Sequence, residues 1–250
     1  MAENSLAQHY SDIVAEITKG GGIHIEEDFL SPGQVAGFVA LAESYEPDRF
    51  GTVRGLLDKS PLWAQILEHP VTTSVSSLAL GPNFQLGSVD IKYFHPENQV
   101  NVKRVIPHVD YPGSASIGPS AGVDGRFGEF TLGLKFFIPL TDLTIENGAT
   151  AYLPGSQNLN ADPELYGRMF FDLHAAGESK RLIVKAGTLA IWNNRFWHAE
   201  LGNRSAIDKL LMHICVVHGN VTPPHALDTM YGCDRIAKLN SRMRARVVAS

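Results

Sequence analysis

The 250-residue chain is 44% hydrophobic and 19% charged, the composition of an ordinary globular protein with one sizeable core. Its formal net charge is only −5 and its Lys and Arg are scattered, which excludes the concentrated basic footprint of a nucleic-acid binder. The longest apolar runs, such as LLMHICVV, are too short and too polar to span a membrane.

The Met-Ala-Glu-Asn start carries no basic segment followed by an apolar one, so no secretory signal is expected and the cytoplasm is the expected location. Cys215 and Cys233 make neither a disulfide framework nor a zinc pattern, and Cys215 reads as a small buried hydrophobe.

Residues 1–84 read as a helical support layer. SLAQHYSDIVAEITKG has helical periodicity and stops at Gly20-Gly21-Gly22. GIHIEEDF reads as a strand. In SPGQVAGFVALAESY, Ser31 is placed to cap a helix and Pro32 to open it. Two more helical pieces, SPLWAQILEH and VTTSVSSLAL, precede the turn GPNF.

From residue 85 the texture changes. QLGSVDIKYFHP, FTLGLKFFIPL, ATAYLPGS, KRLIVKAGTLAIWN and KLLMHICVVHG are short strand-like runs punctuated by Gly, Pro and Asn. Their spacing predicts an antiparallel sandwich or barrel over residues 85–220, with 221–250 as a C-terminal extension. No repeat or low-complexity linker divides the chain, so residues 1–250 are expected to form one domain. Two long segments interrupt the strands: 112–129, rich in Gly and Ser, and 158–179, with Tyr166, Phe170 and Phe171. Segments of this length inside a compact domain are candidate lids over a site.

Chemistry concentrates in PHVD. Strand residues two apart share a face, so His108 and Asp110 offer an imidazole and a carboxylate to one ion. His198, at the end of a strand-like run beside Trp197, is the candidate third ligand. Two His and one carboxylate form a facial triad that leaves positions open on Fe(II). Each motif also has an ordinary reading: a polar strand end for His-x-Asp, a hydrogen-bonded core histidine for His198. His24, His95 and His174 are expected to be structural or on the surface.

Together the segments resemble the phytanoyl-CoA dioxygenase family of Fe(II)/2-oxoglutarate-dependent oxygenases. PHVD resembles its first metal motif, FFIPLTDLTIENGATAYLPGSQ its strand–turn–strand segment, GTLAIWNNRFWHAELGNRS its distal histidine segment, and GGIHIEEDFLSPGQVAGFVAL its opening strand and helix. The resemblance implies a mostly β double-stranded β-helix, a jelly-roll barrel of cupin type. It also implies His108, Asp110 and His198 as ligands of Fe(II), with 2-oxoglutarate and O₂ as cosubstrates. The expected reaction oxidises an unactivated C–H bond of a small molecule, releasing succinate and CO₂. An intact Asp110 favours hydroxylation, desaturation or ring formation over halogenation, which in related enzymes uses a small residue there.

Two positions depart from the family pattern. Gln157 replaces the His that commonly follows Pro-Gly-Ser. Lys209 stands where the family usually places the arginine that holds the far carboxylate of 2-oxoglutarate, which exchanges a planar fork for a point charge. Arg204 and Lys135 are rivals for that role, and Thr150 and Ser205 are candidate hydroxyl partners. The absence of a basic cluster for the phosphates of coenzyme A turns the expectation towards a natural product or its biosynthetic intermediate. Two other readings stand beside this one: a zinc hydrolase with the same His₂Asp ligands and Glu200 as base, and a non-catalytic β-sandwich that binds a metal or ligand.

Overall fold

A computed structural model of the chain describes residues 3–48, 51–96, 107–110, 131–159, 163–221, 227 and 231–247. The helical layer forms first along the chain. Helix α1 (Glu3–Lys19) leads through the three glycines into strand β1 (Ile23–Glu26). Helix α2 (Pro32–Glu43) opens with a complete capping box: the Ser31 hydroxyl accepts from the Gln34 N–H, and the Gln34 side chain accepts from the Ser31 N–H. After β2 (Thr52–Val53) come α3 (Leu56–Lys59), α4 (Leu62–Leu67) and α5 (Pro70–Leu80).

The strands follow as β3 (Gln85–Phe94), β4 (Gly133–Pro139) and β5 (Ala151–Tyr152), then helix α6 (Pro163–Ala175). Strands β6 (Lys180–Arg181), β7 (Leu189–Asn193), β8 (His198–Ala199) and β9 (Lys209–Val217) complete them, and helix α7 (Cys233–Ala245) comes last.

One antiparallel sheet has the order β1-β7-β4-β9-β3-β2 and a second has the order β6-β5-β8. A bridge between His108 and His198 adds the His-x-Asp segment to the free edge of β8. The interleaved strand order is that of a jelly roll: sequence neighbours such as β7 and β8 lie in different sheets.

Three apolar layers hold this arrangement. The outward residues of β9 (Leu210, Met212, Ile214 and Val216) share one buried cluster with Ile13 and Ile17 of α1 and Val71 and Val75 of α5. Between the sheets, Phe94, Phe137, Trp192 and Leu211 of the large sheet meet Tyr152 of the small one. Each fully buried side chain of this size contributes about 1.5–3 kcal/mol relative to exposure. The segment after residue 221 is more than an appendage, because Ile236, Leu239 and Met243 of α7 enter the first cluster and Asn240 Oδ1 accepts from the Leu86 N–H at 2.9 Å.

The third layer redefines segment 158–179. Its centre is α6, whose Phe170 is 0% exposed among Val109, Ala151, Leu153 and Trp197 on the outer face of the small sheet. Phe170 is therefore an anchor for the helix, while its neighbour Phe171 is exposed. The Tyr166 side chain and the whole of 112–129 lie outside the described residues.

Candidate metal centre

The backbone brings the two histidines together. The His108 N–H donates to the His198 carbonyl at 2.9 Å and the His198 N–H returns the bond to His108 at 3.1 Å. A pair that exchanges both bonds is directly opposed across an antiparallel ladder, so both side chains leave the same face. Their ring centres are 4.3 Å apart. Asp110, two residues beyond His108, shares that face. One donor atom from each of His108, Asp110 and His198 lies within 4.8 Å of the others, a spacing suited to a single ion.

The protonation states suit a metal. His198 Nδ1 lies 2.9 Å from the Phe196 carbonyl, which can only accept, so Nδ1 carries the proton and the Nε2 lone pair points at Asp110 Oδ2, 3.8 Å away. Burial, helped by the neighbouring His108, pushes the His198 imidazole down to about 4, so it is neutral at physiological pH. Burial works in the other direction on Asp110 and raises it. The Lys135 ammonium, the two histidines and the Trp192 N–H outweigh that effect and hold the carboxyl well below its ordinary range.

Both oxygens of Asp110 are already engaged. Lys135 Nζ donates to Oδ1 at 3.1 Å and Trp192 Nε1 donates to Oδ2 at 3.1 Å. Lys135 is 9% exposed, on the inward face of β4 opposite Cys215 of β9. Its unexpected position inside an apolar strand is explained by this carboxylate, and it is not free to serve as a remote anchor.

The other end of the interior holds Lys209. It is 0% exposed, and its ammonium donates to the carbonyls of Gly148 at 2.8 Å and Leu201 at 3.3 Å. It also lies 4.2 Å from the centre of the Phe94 ring. Gly148 makes this nest possible: its φ is 77°, and a Cβ there would collide with the carbonyls of Leu201 and Gly202. Two carbonyls leave the third N–H of the ammonium for a ligand. Burial lowers Lys209 to about 8, partly opposed by the Glu200 carboxylate.

Thr150 is buried in the same region, and its hydroxyl finds no hydrogen-bond partner among the described residues. The other candidates are placed elsewhere. The Ser205 hydroxyl is bonded to Asn203 Oδ1 and the Ile207 carbonyl within the turn before β9, and Arg204 is exposed. Cys215 is buried, with its thiol pushed up to about 11 by burial, as expected of an inert small residue.

Between metal triad and Lys209 lies a polar array that the sequence reading did not single out. His213 on β9 faces Asp90 on β3 across the ladder, with Nδ1 4.0 Å from Asp90 Oδ1 and Nε2 3.9 Å from Glu200 Oε1. Both His213 nitrogens and Asp90 Oδ1 are buried without a hydrogen bond among the described residues. Burial drives His213 well below its ordinary value, so it is neutral. Glu200 sits 4.0 Å from Lys92, and burial is overcome by Lys92, Lys209 and the two histidines to keep it ionised. A carboxylate held down in this way is a poor general base, which weighs against the zinc hydrolase. The sequence signal was the alternation of polar with apolar residues along β3 and β9.

Solved structures share this architecture. The non-heme alpha ketoglutarate dependent epimerase SnoN from nogalamycin biosynthesis aligns with a TM-score of 0.62 at 17% identity, covering 84% of this chain and 83% of that one. HygX from Streptomyces hygroscopicus with iron bound aligns with a TM-score of 0.64 at 17% identity, covering 85% and 88%. The carbocyclase SnoK, also from nogalamycin biosynthesis, gives 0.61 at 18% identity, covering 89% and 90%. These likenesses establish the fold. A profile of the phytanoyl-CoA dioxygenase (PhyH) family matches residues 27–211, from just after β1 through the metal triad into the start of β9, well over half of the chain. The chain therefore belongs to the phytanoyl-CoA dioxygenase family of Fe(II)/2-oxoglutarate-dependent oxygenases.

Proposed function

We infer that His108, Asp110 and His198 hold Fe(II), and that the protein hydroxylates an unactivated C–H bond of a small molecule, a natural product or its biosynthetic intermediate. The observation that carries this reading is the shared interior: three metal donors converge within 4.8 Å, and a buried cation with a spare N–H closes the other end. The donor set fits the metal, since two neutral imidazoles and one carboxylate suit a non-haem Fe(II) with open positions. Bound Fe(II) with 2-oxoglutarate and O₂ supplies the oxidising power.

The chain's own residues position these components. Lys209 receives the far carboxylate of 2-oxoglutarate, and the Thr150 hydroxyl is the neighbouring donor; the Ser205 hydroxyl is spent in its turn. Phe94, Phe137 and Trp192 form the apolar wall that keeps water from the interior. Two neighbours support this reading: SnoN is known in complex with Fe3+, alpha ketoglutarate and nogalamycin RO, and HygX with nickel and 2-oxoglutarate bound. No helix among the described residues is long and apolar enough to cross a membrane.

The test is anaerobic calorimetry of 2-oxoglutarate into protein loaded with Mn(II), followed by O₂ uptake and succinate detection with Fe(II). Binding and slow succinate formation are expected, and both should vanish in His198→Ala. Absence of binding at millimolar 2-oxoglutarate would favour the non-catalytic module instead.

A further inference from the structure

Lys135 is a buried cation placed against the carboxylate that the metal also needs. Its ammonium is 3.1 Å from Asp110 Oδ1, it is 9% exposed, and Asp90 is a second acidic neighbour among the described residues. A facial triad binds a dication without such a residue, so its presence asks for a consequence.

We propose that Lys135 couples metal binding to cosubstrate binding, so that the metal is held loosely alone and tightly once an anionic 2-oxoacid chelates it. This rests on the metal and cosubstrate assignments above. In a dry site the net charge decides the balance. Lys135 and Asp110 together are neutral before loading. A divalent metal alone leaves two positive charges in excess, and the chelating carboxylate brings that excess down to one. Without the lysine the same steps run from one negative charge, to one positive charge, to none.

The energy of a buried cluster grows steeply with its net charge. The lysine therefore penalises the metal alone and rewards the arrival of the carboxylate. Coupling is reciprocal, so 2-oxoglutarate also binds more weakly when metal is absent. Trp192, which donates to the other oxygen, keeps Asp110 in place while its charge is shared. The benefit is chemical order: a metal that stays poorly held until its cosubstrate arrives spends little time exposed to O₂ without one.

The experiment is calorimetry with Mn(II), under argon, with and without saturating 2-oxoglutarate, on the wild type, Lys135→Met and Lys135→Arg. In the wild type, 2-oxoglutarate should tighten Mn(II) binding by about 5–150-fold, the usual range of coupling between sites. In Lys135→Met, Mn(II) alone should bind more tightly than in the wild type, and the tightening by 2-oxoglutarate should shrink at least several-fold. Lys135→Arg, which keeps the charge, should retain most of it.

A merely structural lysine would lower both affinities in Lys135→Met and leave their ratio unchanged, which overturns the proposal. The ratio is independent of the amount of folded protein, and Lys135→Gln, which removes the charge but can still donate a hydrogen bond to Asp110, gives the same discriminating reading if the methionine variant folds poorly. Failure of the wild type to bind Mn(II) or 2-oxoglutarate at all would instead overturn the metal-centre reading on which the proposal rests.

Discussion

Strands β3 and β9 each present two faces of opposite chemistry. On the outward face, Leu86, Val89, Ile91 and Tyr93 of β3 and Leu210, Met212, Ile214 and Val216 of β9 join the helical layer in one apolar cluster. On the inward face the same strands carry Ser88, Asp90, Lys209, His213 and Cys215, all buried. Both faces are dry, yet only one is built for stability. A buried polar group without a partner costs about 1–3 kcal/mol, so several on one face mark a surface that serves something other than the fold. The two faces should therefore respond differently to substitution.

The outward face gives the largest expected effect. Ile214 is 1% exposed within the apolar cluster, and Ile214→Ala should destabilise the protein by about 2–5 kcal/mol in denaturant unfolding. The affinity of the folded fraction for Mn(II) and 2-oxoglutarate should be unchanged. A large loss of affinity at small cost in stability would abolish the distinction between the faces.

The inward face should show the reverse at Lys209. A charge-assisted hydrogen bond is worth about 1.5–3 kcal/mol, so if Lys209 holds the cosubstrate as proposed, Lys209→Met should weaken 2-oxoglutarate binding roughly ten- to a hundredfold. Its pH dependence sharpens the assignment. Burial places the Lys209 ammonium at about 8, and a bound carboxylate would stabilise the charged form and raise that value. Affinity for 2-oxoglutarate should therefore be flat below pH 8 and fall above it, by up to about tenfold per pH unit. Lys209→Met should lose that slope, as read by calorimetry between pH 7 and 9.5. A slope that survives in the variant would assign the titration to another group.

How much of this was legible in the sequence follows the same division. Strand parity gave the shared face of His108 and Asp110, and the order of segments gave His198, because these depend on local geometry and chain order. Ser31 as the cap of α2 was legible for the same reason, although the reciprocal bond to Gln34 was not read. Helix α6 was not read, although Pro163 opens it and Gly177, with a φ of 77°, follows its end. Its stripe of Met169, Phe170 and Leu173 has meaning only against the outer face of the small sheet, a surface made by distant segments. Lys135 was conspicuous as a charge inside FTLGLKFFIPL, but its partner Asp110 lies 25 residues earlier, so the pairing needed the folded chain. Asp90 and His213 were not singled out because polar alternation along a strand reads equally as one face in water, and only the folded chain shows that face to be buried.

The smallest expected effect tests the inward face at its most costly point. Neither His213 nitrogen has a hydrogen bond among the described residues, and the ring packs on Phe137 with centres 5.0 Å apart. Leucine is apolar and close enough in size to fill that place beside Phe137. If the imidazole is kept for a ligand, His213→Leu should stabilise the ligand-free protein by about 1 kcal/mol, because an unsatisfied buried polar group is replaced by an apolar one. Substrate turnover should fall while Mn(II) affinity is retained, since His213 belongs to the space beside the metal rather than to its ligand set. A destabilised variant would mean that the imidazole is satisfied within the folded protein, and the inward face would then be polar for structural reasons at that position. Thermal unfolding of the two ligand-free proteins at pH 7 separates these outcomes, because His213 is neutral there and the comparison carries no change in its charge.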